Sequence, residues 1–174
     1  WSDEFTLWDD TVKKSPRKDR PYLNRGYAYF KAGKYPEAIA DFNRSLRLNP
    51  GYILAYLNRG AALSRMEQDD LALADFTRIL SSDPKYAEAY KSRGIVFMRK
   101  GEYPKAISDF KEAVRITPDL IEAHINLAKV YVSCGNTFEA EEACNKVIAM
   151  GLCSWEAYNE IGVLYASRGE YQLE

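Results

Sequence analysis

Hydrophobic positions along the chain follow the spacing of short amphipathic helices. In residues 21–32, Tyr22, Gly26 and Tyr29 lie on one face at helical spacing, which predicts a first helix whose core side they define. Gly33 follows, and glycine commonly ends a helix in the left-handed conformation. The pattern therefore predicts a helix of about three turns with a defined end.

A second helix is predicted directly afterwards. Pro36 suits the first turn of a helix, where its missing N–H costs no hydrogen bond. Ala38, Phe42 and Leu46 then share one face at i, i+4 and i+8, and Asn49-Pro50 is predicted to end the helix. The unit is therefore a pair of helices joined by a short turn.

This helix pair recurs every 34 residues. Rows of prolines, small residues, aromatic residues, alanines and bulky apolar residues keep that spacing: Pro16, Pro50, Pro84 and Pro118; Gly26, Gly60, Gly94, Ala128 and Gly162; Tyr22, Tyr56, Tyr90, His124 and Tyr158; Ala38, Ala72, Ala106 and Ala140; Phe42, Phe76, Phe110 and Cys144. The second unit has Arg65-Met66-Glu67-Gln68 where the others have a turn glycine, so its turn is predicted to be less regular.

A 34-residue helix–turn–helix with these rows resembles the tetratricopeptide repeat (TPR) family. The resemblance implies an all-α, right-handed superhelical solenoid. The predicted divisions are a second helix of a preceding repeat at 1–18, full repeats at 19–52, 53–86, 87–120 and 121–154, and the first helix of a truncated fifth repeat at 155–174. Such a division is expected of a piece of a longer protein, with possible self-association through its open ends.

Composition narrows the function to binding. The 24 Lys+Arg against 25 Asp+Glu give no basic surplus for nucleic acid, and no apolar run is long enough to span a membrane. Cys134, Cys144 and Cys153 match no zinc pattern and are interpreted as small buried residues, and His124 is interpreted as a packing residue of the tyrosine row. No catalytic constellation, metal site or cofactor is predicted, so the chain itself is not expected to be an enzyme.

A repeated arginine has two interpretations: a ladder for an anionic ligand, or a structural ion pair. The fourth unit loses its arginine and an aspartate of its second helix together, having Leu127 and Ala143 instead. Since the two change together, the favoured prediction is salt bridges inside each repeat: Arg25–Asp41, Arg59–Asp75 and Arg93–Asp109.

The candidate binding residues lie on the first helices, opposite the predicted core side. The family resemblance implies that these positions line the concave groove. One row offers side-chain amides or a hydroxyl, which can pair with any peptide backbone, and it resembles the asparagine ladder of the O-GlcNAc transferase TPR superhelix: Asn24, Asn58, Ser92 and Asn126.

The neighbouring rows are amphipathic and supply the other candidates: Leu23, Leu57 and Lys91 in one row, Tyr27 and Lys129 in another, and Phe30 beside them. Tyr27, Phe30 and Leu57 form either an apolar binding patch or packing between adjacent first helices, and both interpretations stay open. Acidic and basic edges are expected to orient an extended ligand: Glu88, Glu122 and Glu156 against Lys31, Arg65 and Arg99.

The carboxylate clamp of chaperone-binding TPRs, a Lys/Asn/Asn/Lys/Arg set, is not reproduced. Of its positions only Asn58 matches, and the others hold Leu23, Tyr27, Glu88 and Ser92. The predicted function is therefore a scaffold that binds a protein or extended peptide, in the cytoplasm or on the non-cytoplasmic side of a membrane.

An alternative comes from the N-terminal junction, residues 6–21, which resembles the entry to TPR regions of multi-spanning membrane proteins such as O-mannosyltransferases. The chain would then be the accessory, substrate-presenting part of a membrane-bound, glycosyltransferase-like enzyme, without membrane contact of its own.

Overall fold

The computed structural model describes residues 2–150 together with residues 159 and 162. Most of the predicted truncated repeat, with Tyr158, lies outside the described residues, and so does the end of the predicted fourth repeat, with Cys153. The described residues form nine α-helices and no strand: α1 Ser2–Lys14, α2 Asp19–Lys31, α3 Tyr35–Leu48, α4 Ile53–Arg65, α5 Asp69–Ser82, α6 Ala87–Arg99, α7 Tyr103–Ile116, α8 Ile121–Ser133 and α9 Thr137–Ala149.

The helices pack in sequential pairs within two compact units, residues 1–84 and residues 85–174. In the first unit α2 packs on α3 and α4 on α5, and α3 also packs on α4. In the second unit α6 packs on α7 and α8 on α9, and α7 also packs on α8. Helices α3 and α7 therefore bury one side against their own partner and another against the next pair of the same unit. The protein is an all-α helical-repeat solenoid.

Each of the first three pairs is held by a phenylalanine against a glycine. Phe42, Phe76 and Phe110 are fully buried. A Cβ built on Gly60 would lie 2.7 Å from the ring of Phe76, closer than real Cβ contacts allow. The fourth pair has Ala128 and Cys144, which pack in one buried cluster. The smaller cysteine accommodates the alanine methyl, so the two rows change together for a packing reason.

The turn inside each pair is the same in all four repeats, which makes the prediction of a less regular second turn wrong. Gly33, Gly101 and Gly135 have φ near +74°, and Glu67 takes the equivalent place with φ +58°. The next residue, Gln68, donates its N–H to Leu63 O at 2.9 Å, as its counterparts in the other turns do. The helix-capping hydrogen bonds therefore impose a left-handed conformation on a glutamate.

Two smaller differences from the sequence predictions concern a helix start and a cysteine. Helix α2 begins at Asp19, two residues before the predicted start, because a proline is tolerated in the first turn and Pro21 lies inside that turn. Cys134 is exposed at the end of α8, whereas Cys144 is buried as predicted. The end of a helix lies at the surface, so Cys134 is not a core residue.

Candidate partner-binding surface

The predicted salt bridges inside the repeats are confirmed. Each arginine donates two hydrogen bonds to both carboxylate oxygens of its aspartate, over 2.7 and 2.8 Å in Arg25–Asp41, 2.8 and 2.6 Å in Arg59–Asp75, and 2.7 and 2.8 Å in Arg93–Asp109. The three aspartates are buried. The arginine row is therefore occupied within the repeats and is not a ladder for an anionic ligand.

Further contacts hold the arginines in place. The hydrogen bond to Asp41 raises the pKa of Arg25 and outweighs the opposing effect of burial, so the guanidinium stays charged. The remaining nitrogen of Arg25 reaches back to Asp9 on α1 at 2.8 Å, and that of Arg59 reaches Asn43 on α3 at 2.6 Å. Arg25 and Arg59 thus each link their own pair of helices to the second helix of the preceding pair.

The accessible surface of the first helices is narrower than predicted from the sequence. Leu23 is only 6% exposed and belongs to the core cluster that includes Phe42 and Ala55. Ile125, in the same row, is 5% exposed and packs with Val147. Leu23 and Ile125 are therefore core residues rather than binding surface, and Leu23 is withdrawn as a contact residue.

Lys91 occupies the same row and is also withdrawn. It is 7% exposed. Its ammonium group pairs with Glu88 at 2.5 Å and with Glu122 of the next first helix. Burial disfavours the charge, but hydrogen bonds to Glu122 and Glu88 outweigh that effect and the net result is a raised pKa for Lys91. Lys91 thus partly neutralises the charges of Glu88 and Glu122, two of the three glutamates of the predicted acidic edge.

The polar row on the first helices stays accessible. Asn24 and Asn58 in the first unit, and Ser92 and Asn126 in the second, are all half-buried. Within the described part of the chain, the side chains of the three asparagines have no hydrogen-bond partner. They can therefore offer both a donor and an acceptor to a ligand.

Aromatic side chains flank this row at the start of the chain. Tyr27 is 47% exposed and stacks on Phe30, with ring centroids 6.4 Å apart and planes inclined by 17°. Phe30 in turn contacts Tyr35 at 5.7 Å and packs against the core. Leu57 and Lys129 are half-buried. Tyr27 is therefore the most accessible apolar candidate, and Phe30 belongs partly to packing.

We name the accessible positions of the first helices the exposed strip. It consists of four rows spaced by three or four residues, which places them on one side of each helix: Arg20, Leu54, Glu88 and Glu122; Asn24, Asn58, Ser92 and Asn126; Tyr27, Ala61, Ile95 and Lys129; Lys31, Arg65, Arg99 and Ser133.

Two rows of buried small residues that were not predicted as core explain why the strip is narrow. Ala55, Ala89 and Ala123 have no exposed surface, and neither do Ala62, Val96 and Val130. These rows also keep the 34-residue spacing, so the signal was available. Small side chains let neighbouring helices approach closely, which widens the buried arc of each first helix.

No group of three or more histidine, cysteine or acidic side chains among the described residues could hold a metal ion. No described helix is both long and apolar enough to cross a membrane.

Solved structures with similar folds are repeat proteins. A tetratricopeptide repeat protein from Parabacteroides merdae superposes with a TM-score of 0.81 at 22% identity, over 95% of this chain and 66% of that chain. YrrB, described as a TPR protein with an unusual peptide-binding site, gives 0.73 at 18% identity, over 95% and 85%. The first TPR of Spaghetti (RPAP3), bound to the HSP90 peptide SRMEEVD, gives 0.65 at 25% identity, over 68% and 94%.

Comparison with sequences completes the assignment. No curated protein matches the chain significantly. Family models described as tetratricopeptide repeat match residues 20–52, 53–86 and 121–150, and a model described as TPR repeat matches residues 94–135. With the helix pairs, the glycine–phenylalanine contacts and the repeat turns described above, these matches show that the chain belongs to the tetratricopeptide repeat family.

Proposed function

We propose that this protein-interaction scaffold binds extended peptide segments through the exposed strips of its first helices, with Asn24 and Asn58 in the first unit, and Asn126 in the second, pairing with peptide backbone. The observation that carries the proposal is the row of half-buried amides that have no side-chain hydrogen-bond partner among the described residues, Asn24, Asn58 and Asn126. A side-chain amide matches the donor and acceptor of a peptide bond, so it recognises a backbone whatever its sequence.

The surroundings of this row support an extended ligand. The arginines that would compete for acidic groups are already paired within the repeats. Tyr27 provides an exposed ring for one apolar side chain in the first unit. Two solved neighbours bind peptides according to their descriptions, which favours a peptide as the ligand class.

The binding mode of a chaperone-type carboxylate clamp is not proposed. Its three basic positions hold Leu23, Glu88 and Ser92 here, and Leu23 is buried. A peptide ending in an acidic motif such as SRMEEVD is therefore expected to bind no better than its C-terminally amidated form. The substrate-presenting role beside a membrane-bound transferase stays an untested alternative.

The test begins by selecting peptides from a random library displayed on phage, with the protein immobilised. The best peptide is then titrated calorimetrically into wild type and into the Asn24→Ala/Asn58→Ala/Asn126→Ala variant. With about 1 kcal/mol for each hydrogen bond lost, the triple variant is expected to bind roughly 30-fold more weakly at the first unit, which loses Asn24 and Asn58, and about fivefold more weakly at the second, which loses Asn126.

A matched control and a chemical variant of the peptide sharpen the result. Asn145→Ala removes an exposed amide from α9, outside the strip, and should leave the affinity unchanged. N-methylation of the peptide backbone at the contact positions should weaken binding as the triple substitution does. If the triple variant binds the selected peptide as wild type does, the asparagine row is not the binding site.

A further inference from the structure

The exposed strip differs in charge between the two compact units. In the first unit its charged side chains are all cations: Arg20, Lys31 and Arg65. In the second unit two anions and two cations occupy the strip: Glu88, Glu122, Arg99 and Lys129. The strip of the first unit is therefore basic, although the whole chain has a formal net charge of -1.

The two arginines of this basic strip are available to a partner. Arg20 and Arg65 are exposed, and neither side chain forms an ion pair or a hydrogen bond within the described part of the chain. Arg25 and Arg59, on the same two helices, are instead held by aspartates. A guanidinium fork without a partner can take a carboxylate from another molecule.

The acidic residues that flank the strip along the chain do not cancel its charge. Asp19 precedes Arg20, and its carboxylate accepts hydrogen bonds from the side chain of Asn49 at 2.7 Å and from the backbone N–H of Arg20 at 2.9 Å. The hydrogen bond from Asn49 is the main cause of the lowered pKa of Asp19, and the charge of Arg20 adds to it. Glu67 lies in the turn beyond α4. Even with both carboxylates counted, the three cations of the strip leave this region positive.

Two large apolar side chains lie among the cations. Tyr27 is 47% exposed and Leu54 is 45% exposed. The ammonium nitrogen of Lys31 lies 5.9 Å from the ring centroid of Tyr27, so charge and ring share one part of the surface. The strip of the first unit therefore offers apolar contact and positive charge side by side.

The cations lie on both sides of the amides Asn24 and Asn58. These amides belong to α2 and α4, which contact each other, so a peptide that pairs with both crosses the two helices. At 1.5 Å of rise per residue, Arg20 precedes the amide of its helix by about 6 Å, and Lys31 and Arg65 follow theirs by about 10 Å. The two apolar side chains are divided in the same way, one on each side. Because successive side chains of an extended peptide point in opposite directions, both sets would meet a cation and an apolar group.

We infer that the strip of the first unit selects an internal acidic segment of a partner protein, in which aspartate or glutamate residues neighbour leucine or aromatic residues. This inference rests on the peptide-binding function proposed above and adds the class of partner. Charge complementarity speeds the encounter with an acidic segment and disfavours basic ones. A free C-terminal carboxylate is not required, because the cations are spread along both sides of the amides.

The test extends the phage selection to three forms of the whole 174-residue chain. They are wild type, Arg20→Glu/Arg65→Glu, and the matched control Arg47→Glu/Arg78→Glu, which makes the same change of net charge at exposed positions of α3 and α5. Selected peptides are assigned to the first unit when they shift the side-chain NH₂ resonances of Asn24 and Asn58. Those selected by wild type and by the control should be enriched in Asp and Glu over the unselected library, and the Arg20→Glu/Arg65→Glu variant should lose this enrichment.

A calorimetric titration then measures the charge preference. The best first-unit peptide is compared with its isostere, in which Asn and Gln replace every Asp and Glu. An exposed ion pair is worth up to about fivefold in affinity, so two or three of them should favour the acidic peptide by about tenfold or more. Raising the ionic strength from about 0.01 M to about 1 M shortens the Debye length from about 30 Å to about 3 Å, so this preference should largely disappear.

The two arginine variants separate the strip from the rest of the surface. Arg20→Glu/Arg65→Glu should bind the acidic peptide about tenfold or more weakly than wild type and should bind the isostere as wild type does. Arg47→Glu/Arg78→Glu should match wild type with both peptides. Circular dichroism at 222 nm checks that both variants keep the helicity of wild type.

Failure of this inference can be told apart from failure of the proposed function. The inference is overturned, and the amide row stands, if first-unit peptides show no excess of Asp and Glu or if the isostere binds as tightly as the acidic peptide. An equal loss of affinity in the two arginine variants would overturn it too, because the effect would then belong to net charge. If the Asn24→Ala/Asn58→Ala/Asn126→Ala variant binds the selected peptides as wild type does, the proposed function fails and this inference falls with it.

Discussion

Removing Arg59 alone from the Arg59–Asp75 pair should destabilise the protein more than removing both partners, and the double change should cost well below the sum of the two single changes. The side chain of Asp75 is only 7% exposed and that of Arg59 is 22% exposed. Arg59→Leu leaves a carboxylate buried without its two hydrogen bonds, and losing one partner of a buried pair costs about 3–5 kcal/mol. We expect about 3 kcal/mol, the low end, since Arg59 keeps some contact with water.

Asp75→Ala should cost less than Arg59→Leu. The arginine retains its hydrogen bond to Asn43 at 2.6 Å and is the more exposed of the two partners, so we expect about 2 kcal/mol. The double variant Arg59→Leu/Asp75→Ala leaves no unpaired charge and copies the combination of Leu127 and Ala143 in the fourth repeat. It should cost about 2 kcal/mol in total, well below the sum of the single changes.

The assay is urea unfolding followed by circular dichroism at 222 nm, on wild type, both single variants and the double variant. Because repeat proteins unfold partly repeat by repeat, all curves are fitted together with a nearest-neighbour model. Arg78→Leu removes an exposed arginine of α5 and is the matched control, expected within about 0.5 kcal/mol of wild type. Additive costs in the double variant would refute the structural role of the pair.

Three other predictions concern packing, a turn and a buried lysine. Gly94→Ala should destabilise the protein by about 1–3 kcal/mol in urea unfolding, because the new methyl would lie 2.7 Å from the ring of Phe110. This loss is expected despite the better helix propensity of alanine. An unchanged unfolding midpoint would contradict it. Glu67→Gly should stabilise the protein by about 1 kcal/mol in thermal unfolding, because it relieves the left-handed conformation of a glutamate. Gly101→Glu should destabilise the protein by a similar amount. If both variants changed the stability in the same direction, conformational strain would be excluded as the cause. Lys91 has a raised pKa in the folded state, so its contribution to the free energy of unfolding is complete below the ordinary lysine pKa of 10.5 and is lost as pH rises above it. Wild type should therefore lose more stability than Lys91→Met between pH 9 and pH 12. Parallel stability profiles of the two proteins would contradict this.

Correlated changes in the sequence were sufficient to predict specific contacts. The joint loss of the arginine and aspartate rows in the fourth unit indicated the pairing later found in Arg25–Asp41. The joint change to Ala128 and Cys144 has the same origin, because a ring that touches a glycine leaves no room for a methyl group. Such contacts are predictable since both partners repeat with one spacing.

Other features depend on more than one neighbour and were missed. A helical wheel assigns one core side to each first helix, whereas Leu23 is buried because that helix packs both on its own partner and on the next pair. Glu67 adopts a glycine conformation because capping hydrogen bonds outweigh the strain of one residue.

The most direct test of the proposed peptide-binding strip is a ¹H–¹⁵N spectrum of the asparagine side chains during titration with the selected peptide. We predict that the NH₂ resonances of Asn24 and Asn58 in the first unit, and that of Asn126 in the second, shift and saturate during the titration, while those of Asn145 stay in place. Shifts confined to Asn145 and other second-helix amides, with the three first-helix asparagines unmoved at saturation, would contradict the proposal.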